Sequence, residues 1–362
     1  MPMLDLPDCR LHYRETGSGA PLLLLHGNFA SQQWWAPQFA DPPAGRRLIA
    51  PDLRGLGDSG RPGHGYDVPC AAADVLALLD ALDIERCDVV GHSLGGVVAL
   101  QLAILQPQRI RSLLLLTPAP ADGIRLDHLG PLAWLGAERI ARLIPTLTQH
   151  HATMDHLLPH ALPGLREDAA QIAKLCEIAL ACDPAAIAGY TGALAGLRLL
   201  PALATLDQPV LVLAGALDPL VSPQSLEPTV AQLRHGALLI WSDCGHAPQL
   251  EQVQPFRTLL ADWLADASAV LADIGLHGVV NPPPIVIEPP PPEQLLETTL
   301  PLTLPALQPA ANELLQSAFE AAQQATQAGT AVSVAAVAAV ETAVQAQAGL
   351  LQRPRSWLHL GD

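Results

Sequence analysis

Residues 87–103 read CDVVGHSLGGVVALQLA. Cys87 to Val90 have the apolar character of a short buried strand, and Val97 to Ala103 read as the start of a helix. Between the two stands a hydroxyl, Ser93, among Gly91, Gly95 and Gly96. A serine hydroxyl is a weak nucleophile at neutral pH and needs activation. A sharp strand-to-helix turn lifts it clear of the backbone and aims the unpaired amides of a helix N-terminus at any oxyanion formed beside it. Such a turn strains the backbone of the serine and leaves room only for small neighbours. Gly91 and Gly95, two residues to either side, supply that room. The G-x-S-x-G spacing at this junction is that of a nucleophile elbow.

The same rhythm extends in both directions. CRLHYRETG alternates like a strand, PLLLLHG is a buried run ending at glycine, and RRLIAPDLRGLGDSG is a strand running into a glycine-rich loop. VPCAAADVLALLDALDI has helical spacing, and IRSLLLLTPAP is a further buried run. Buried runs alternating with amphipathic helices predict a mostly parallel, doubly wound sheet covered on both faces. Between residues 121 and 205 no strand is legible, and six prolines punctuate leucine- and alanine-rich sequence, which predicts several short helices inserted into the sheet. QPVLVLAGALD, SPQSLEPTVAQL and GALLIWSDCGHA resume the strand–helix–strand order, and QPFRTLLADWLADAS reads as a closing amphipathic helix.

An activated serine needs a histidine base oriented by a carboxylate, delivered by later strand ends in the order serine, acid, histidine. Asp218 falls just past the strand VLVLAG, and His246 just past the strand LLIW. Asp207 and Asp243 are rival carboxylates, ranked below Asp218. The strand LLLL ends in His26-Gly27, where the amide of Asn28 can pair with that of Leu94 to form an oxyanion hole. Phe29, beside this loop, is expected to line the substrate pocket. His26, Asp52 and Arg54 read as loop-holding residues, His92 as the variable residue of the elbow, and Trp34, Trp35 and Trp134 as packing.

The pieces LLLLHGN, DLRGLGDSGRP, GHSLGG, LAGALDPLV and GHAPQLEQ together resemble the α/β-hydrolase fold family, over roughly residues 8–270. The resemblance implies that Ser93 is the nucleophile, His246 the general base and acid, and Asp218 the orienting carboxylate. It places the segment 121–205 where the family carries a helical cap. The expected division is a core of residues 1–120 and 206–275, the cap, a linker over 276–293 and a tail over 294–362. The implied activity is a cofactor-independent serine hydrolase that cleaves an ester, thioester or lactone through an acyl-enzyme. A carbon–carbon bond hydrolase or lyase using the same triad for proton transfer, and a hydrolase-like binding protein, are the alternatives. HGN is similar to the dehalogenase loop, but dehalogenases and epoxide hydrolases of this fold use an aspartate where this chain has Ser93.

Composition narrows the partners. The chain has 362 residues and a formal net charge of −16, with Lys174 its only lysine and arginines spread singly. That balance argues against nucleic acid or an anionic membrane surface as partner. A small-molecule substrate, an apolar acyl or cyclic ester, is expected instead. Six cysteines lie far apart without a C-x-x-C pair, as in a reduced protein. The first residues carry acidic side chains and no apolar signal core, and no uncharged run approaches the ~20 residues of a membrane helix. The protein is therefore expected to be soluble and cytoplasmic. His150, His151, His156 and His160 lack a metal-ligand signature and read as solvated cap residues, with no metal site. NPPPIVIEPPPP reads as an extended linker. The alanine-, glutamine- and valine-rich tail beyond it can form a helix that buries little area alone, which suits self-association or docking.

Overall fold

The computed structural model describes residues 2–124, 144, 148–149 and 151–277. The Pro-rich linker, the tail, Trp134, His150 and most of the early cap segment therefore lie outside the described residues. Contacts divide the chain into two units, Met1–Ile124 with Leu158–Ile285, and Arg125–Leu157 with Val286–Asp362. The sheet and the candidate site belong to the first.

The elements of this unit follow in chain order as β1 (Met3–Asp5), β2 (Arg10–Gly17), β3 (Ala20–Leu25), α1 (Ala36–Ala40), β4 (Arg46–Pro51), α2 (Val68–Ala81), β5 (Cys87–His92), α3 (Leu94–Leu105) and β6 (Ile110–Leu116). Then come α4 (His151–Ala161, begun in the second unit), α5 (Ala169–Leu180), α6 (Pro184–Ala195), α7 (Leu200–Leu203), β7 (Val210–Gly215), α8 (Pro223–Ala231) and β8 (Gly236–Trp241). Three helices, α9 (Pro248–Glu251), α10 (Val253–Ala265) and α11 (Ala267–His277), follow the last strand. The sheet has eight strands in the order β1-β2-β4-β3-β5-β6-β7-β8. An antiparallel pair, β1 and β2, flanks six parallel strands.

Every residue of β5 and of β7 is buried, as expected of parallel strands with helices on both faces. Alternate side chains sort to opposite faces of a strand. Leu22, Leu24, Leu48, Val90, Leu114, Leu116, Leu211 and Leu213 share one face with Trp35, Phe39, Phe256, Leu260 and Trp263. Burying one such side chain contributes roughly 1.5–3 kcal/mol. Helix α3 packs on β5 and β6 and against α2. Asp67 starts α2, its side chain accepting from the Cys70 amide at 2.8 Å.

The end of the domain differs from the sequence reading. The closing helix stops at Ala265, where extended Asp266 (φ −154°) breaks it and accepts at Oδ1 from the Ala269 amide at 3.0 Å to begin α11. Val270, Leu271 and Ile274 of α11 pack against the core. Among the described residues, no helix is long and apolar enough to cross a membrane.

Candidate active site

Ser93 occupies the junction between β5 and α3 with φ 51° and ψ −116°, a region disfavoured for any residue with a side chain. Its amide is held by the Leu116 carbonyl at 2.9 Å, and its own carbonyl accepts from the Gly96 amide at 3.0 Å. His92 and Leu94 are buried to either side, whereas Ser93 is partly exposed. The glycines fit this turn by close approach. A Cβ on Gly95 would collide with the carbonyls of Leu25 and His26, and one on Gly91 would lie 2.5 Å from the Gly95 carbonyl oxygen.

The same packing sets the end of β3 against the serine: a Cβ on Gly27 would lie 3.1 Å from the Ser93 Cβ. His26 shapes this loop. Its Nε2 accepts from the Leu53 amide at 3.0 Å, so Nδ1 carries the proton and donates to the Gly27 carbonyl at 2.8 Å. Burial pushes its pKa down and keeps the ring neutral. Asn28 follows, and its side-chain oxygen accepts from the Phe29 amide at 3.1 Å, with Phe29 at φ 57°. Its Nδ2 reaches the inserted helix α6, 3.3 Å from the Ile187 carbonyl and 3.3 Å from Thr191 Oγ1. Leu94 is the first residue of α3, so its amide precedes the intrahelical ladder. Asp52 accepts from the Gln32 amide (2.6 Å) and the Asp58 amide (3.0 Å), and buried Arg54 pairs with Asp74. Both therefore hold loops.

Asp218 and His246 meet across the loops after β7 and β8. His246 Nδ1 lies 2.7 Å from Asp218 Oδ2, and the Asp218 side chain is fully shielded. The other carboxylate oxygen accepts from the Leu220 amide at 2.8 Å and the Val221 amide at 3.1 Å. A carboxylate partner on Nδ1 puts the proton there and leaves Nε2 as a lone-pair acceptor. The rival acids are engaged elsewhere: Asp207 pairs with Arg234 at 2.7 Å, and Asp243 accepts from Gln252.

Two residues of this site carry more than their sequence signal. His92 does more than fill the variable position of the elbow. It is 1% exposed, stacked on Trp34 at 5.3 Å between ring centroids, and its Nε2–H donates to the His246 carbonyl at 2.8 Å. Burial first, and the neighbouring His246 imidazole second, push its pKa well down, so it stays a neutral donor. Thr117, at φ 41°, donates its hydroxyl to the same carbonyl at 2.6 Å. His246 thus lies against the residue beside Ser93, its ring centroid 5.0 Å from that of His92. No periodicity or motif marks Thr117; its partner is 129 residues away. His156 and His160 are exposed on α4, which continues through Pro159.

Comparison with known proteins points one way. The family model described as alpha/beta hydrolase fold matches residues 20–253. A 2-hydroxymuconate semialdehyde hydrolase of Pseudomonas sp. strain CF600 is 30% identical over 277 residues, covering 72% of this chain and 92% of that protein. A RutD protein of Variovorax paradoxus strain S110, to which carbamate hydrolysis is attributed, is 32% identical over 280 residues, covering 72% and 97%. Among solved structures, a hydrolase from Pseudomonas aeruginosa PA01 is similar with a TM-score of 0.64 and 28% identity, covering 73% of this chain and 97% of that one.

Proposed function

This chain belongs to the α/β hydrolase fold family, and we propose that it is a serine hydrolase in which Ser93, His246 and Asp218 form the catalytic triad. The observation that carries this reading is the presence, on strand ends of one unit, of a strained, partly exposed serine at a helix N-terminus and a histidine whose Nδ1 lies 2.7 Å from a buried carboxylate. In this mechanism His246 Nε2 removes the Ser93 proton as the oxygen attacks a carbonyl carbon. The tetrahedral oxyanion is received by the amides of Asn28 and Leu94, a contribution of about 3 kcal/mol per donor in comparable sites. His246 then passes the proton to the leaving oxygen or sulfur, an acyl-enzyme remains on Ser93, and water activated by His246 releases the acid. Asp218 keeps the imidazole in its Nδ1–H tautomer throughout.

The substrate class is a small ester, thioester or lactone with an apolar acyl part. Phe29 is half-buried beside Asn28, and Leu217 and Leu220, which bracket Asp218 in the chain, are 53% and 55% exposed. Both facts favour an apolar ligand over a charged one. Helix α6 of the insertion is read as flanking the approach to Ser93, a reading supported by the Asn28 bonds to it. A second reading, hydrolysis of a carbon–carbon bond, is favoured by the semialdehyde hydrolase relative. The named substrate of that relative carries no ester, so water must break a carbon skeleton there.

The first test is covalent labelling by a fluorophosphonate. The wild type should label with one equivalent and Ser93→Ala should not, while far-UV circular dichroism stays unchanged. Equal labelling of both would remove Ser93 from its role. A panel of p-nitrophenyl esters, lactones and vinylogous keto acids then separates the two bond classes.

A further inference from the structure

The carboxylate of Glu251 binds three backbone amides from two parts of the chain. Oε2 accepts from Gly245 at 3.0 Å and from Gly164 at 3.0 Å, and Oε1 accepts from Ala247 at 2.8 Å. Gly245 and Ala247 are the neighbours of His246 on either side. Gly164 belongs to the insertion, in a short 3₁₀ turn over Pro163–Leu165. The amide of His246 itself donates to the Ala161 carbonyl at 2.9 Å, again in the insertion. With the His246 carbonyl held by Thr117 and His92, the polar backbone groups of this short loop are engaged from several sides.

The two segments also touch. A Cβ on Gly245 would collide with Pro163 and the Ala161 carbonyl, and one on Gly164 would lie 2.8 Å from the Glu251 Cβ. Hydrogen bonds to an ionised acceptor are roughly twice as strong as neutral ones. One side chain therefore joins the peptide groups on both sides of His246 to the insertion.

We infer that Glu251 is a positioning residue for His246, fixing the imidazole relative to Ser93 and coupling it to the segment 161–164 of the insertion. The inference rests on the triad reading above. Its chemistry is indirect: Glu251 touches neither substrate nor reacting atoms, and it acts by removing freedom from the loop that carries the base. A misplacement of the order of 1 Å at a reacting group can cost about 100-fold in rate. The charge also matters, because an amide in place of the carboxylate turns one acceptor into a donor that faces a backbone N–H.

The experiment compares wild type, Glu251→Gln and Gly164→Ala, the last of which leaves Glu251 intact and wedges the insertion away from it. The expected result is full labelling by a fluorophosphonate, with the labelling rate constant and kcat lowered about 10–100-fold and KM within about 3-fold of wild type. Ser112→Ala, which strips a 2.8 Å bond from Asp88 at the far end of β5, is the stability control. It should lower Tm without slowing labelling per site. A readout without turnover is solvent exchange of the proton between His246 Nδ1 and Asp218, followed by NMR, which should quicken in Glu251→Gln. Unchanged exchange with an unchanged rate per labelled site, even at reduced labelled fraction, would overturn the inference and leave Glu251 a stability residue. A wild type that takes no phosphonate counts against the serine-hydrolase reading, and the exchange measurement still decides the role of Glu251.

Discussion

His92 and His246, 154 residues apart in the chain, are joined by a 2.8 Å hydrogen bond from a side chain to a backbone carbonyl. The residue preceding Ser93 thus grips the peptide of the histidine proposed to activate it. Replacing His92 by Phe preserves a ring against Trp34 and removes the donor, while Thr117 still holds the carbonyl. A net loss of about 1 kcal/mol in urea denaturation is expected, the typical worth of one buried hydrogen bond. Turnover should fall further than this stability change explains. Wild-type turnover in His92→Phe would mean that the contact does not position His246.

Removing the orienting acid leaves the imidazole in place in the wrong tautomer. Asp218→Asn should lose up to ~10⁴-fold in kcat, whereas Asp243→Asn should stay near wild type, because Asp243 is exposed and bound to Gln252. Steady-state kinetics on any accepted ester decides. The opposite ranking would assign the carboxylate to the wrong loop.

A different histidine governs stability against pH. His12 Nδ1 lies 2.7 Å from Asp52 Oδ2, and that hydrogen bond raises its pKa against the opposing effect of burial. A histidine whose folded pKa exceeds its unfolded value, about 6.5, adds stability in full below that value and loses it as the pH rises through the folded pKa. His26 and His92 are shifted down and work in the opposite direction, so the effect must be read by difference. The stability gap between wild type and His12→Gln in urea should be wide near pH 6 and narrow towards pH 9. A gap independent of pH would remove the charge from the account.

Truncation separates the core from the tail. A chain ending after His277 keeps the proposed triad and every strand among the described residues, and should retain the turnover of the full chain. By light scattering it should form particles of fewer chains than the full-length protein does, the outcome expected if residues 294–362 serve self-association. A chain ending at Ala265 loses Val270, Leu271 and Ile274 from the core. It should be destabilised by about 3 kcal/mol at roughly 1 kcal/mol per partly buried side chain. Loss of catalysis by a folded chain ending at His277 would instead place the tail in the site.

The alternation of strands and helices along the chain, the helices described between β6 and β7, and the places of Ser93, Asp218 and His246 at strand ends are legible because each follows from a local pattern. Buried runs mark strand ends, and strand ends carry loops. What stayed illegible depends on backbone partners far away in the chain. Thr117, His92 and Glu251 hold peptide groups around His246, and a hydrogen bond to a peptide leaves no trace in the identity of its partner. Asp266 is the exception: an aspartate directly before a helical run is an N-cap signal, but the alanines on both sides of it read as one continuous helix. The strand β1 leaves no sequence signal because three residues, two of them exposed, are too few to show a period.

Ser93 stands in a region of backbone space that glycine alone enters freely, a conformation that costs of order 1–3 kcal/mol for other residues. Glycine at this position should therefore raise the melting temperature, by about 2–4 °C per kcal/mol relieved in a domain of this size, while ending the chemistry. On the serine-hydrolase reading, this strain is stability given up to present a hydroxyl at the end of β5.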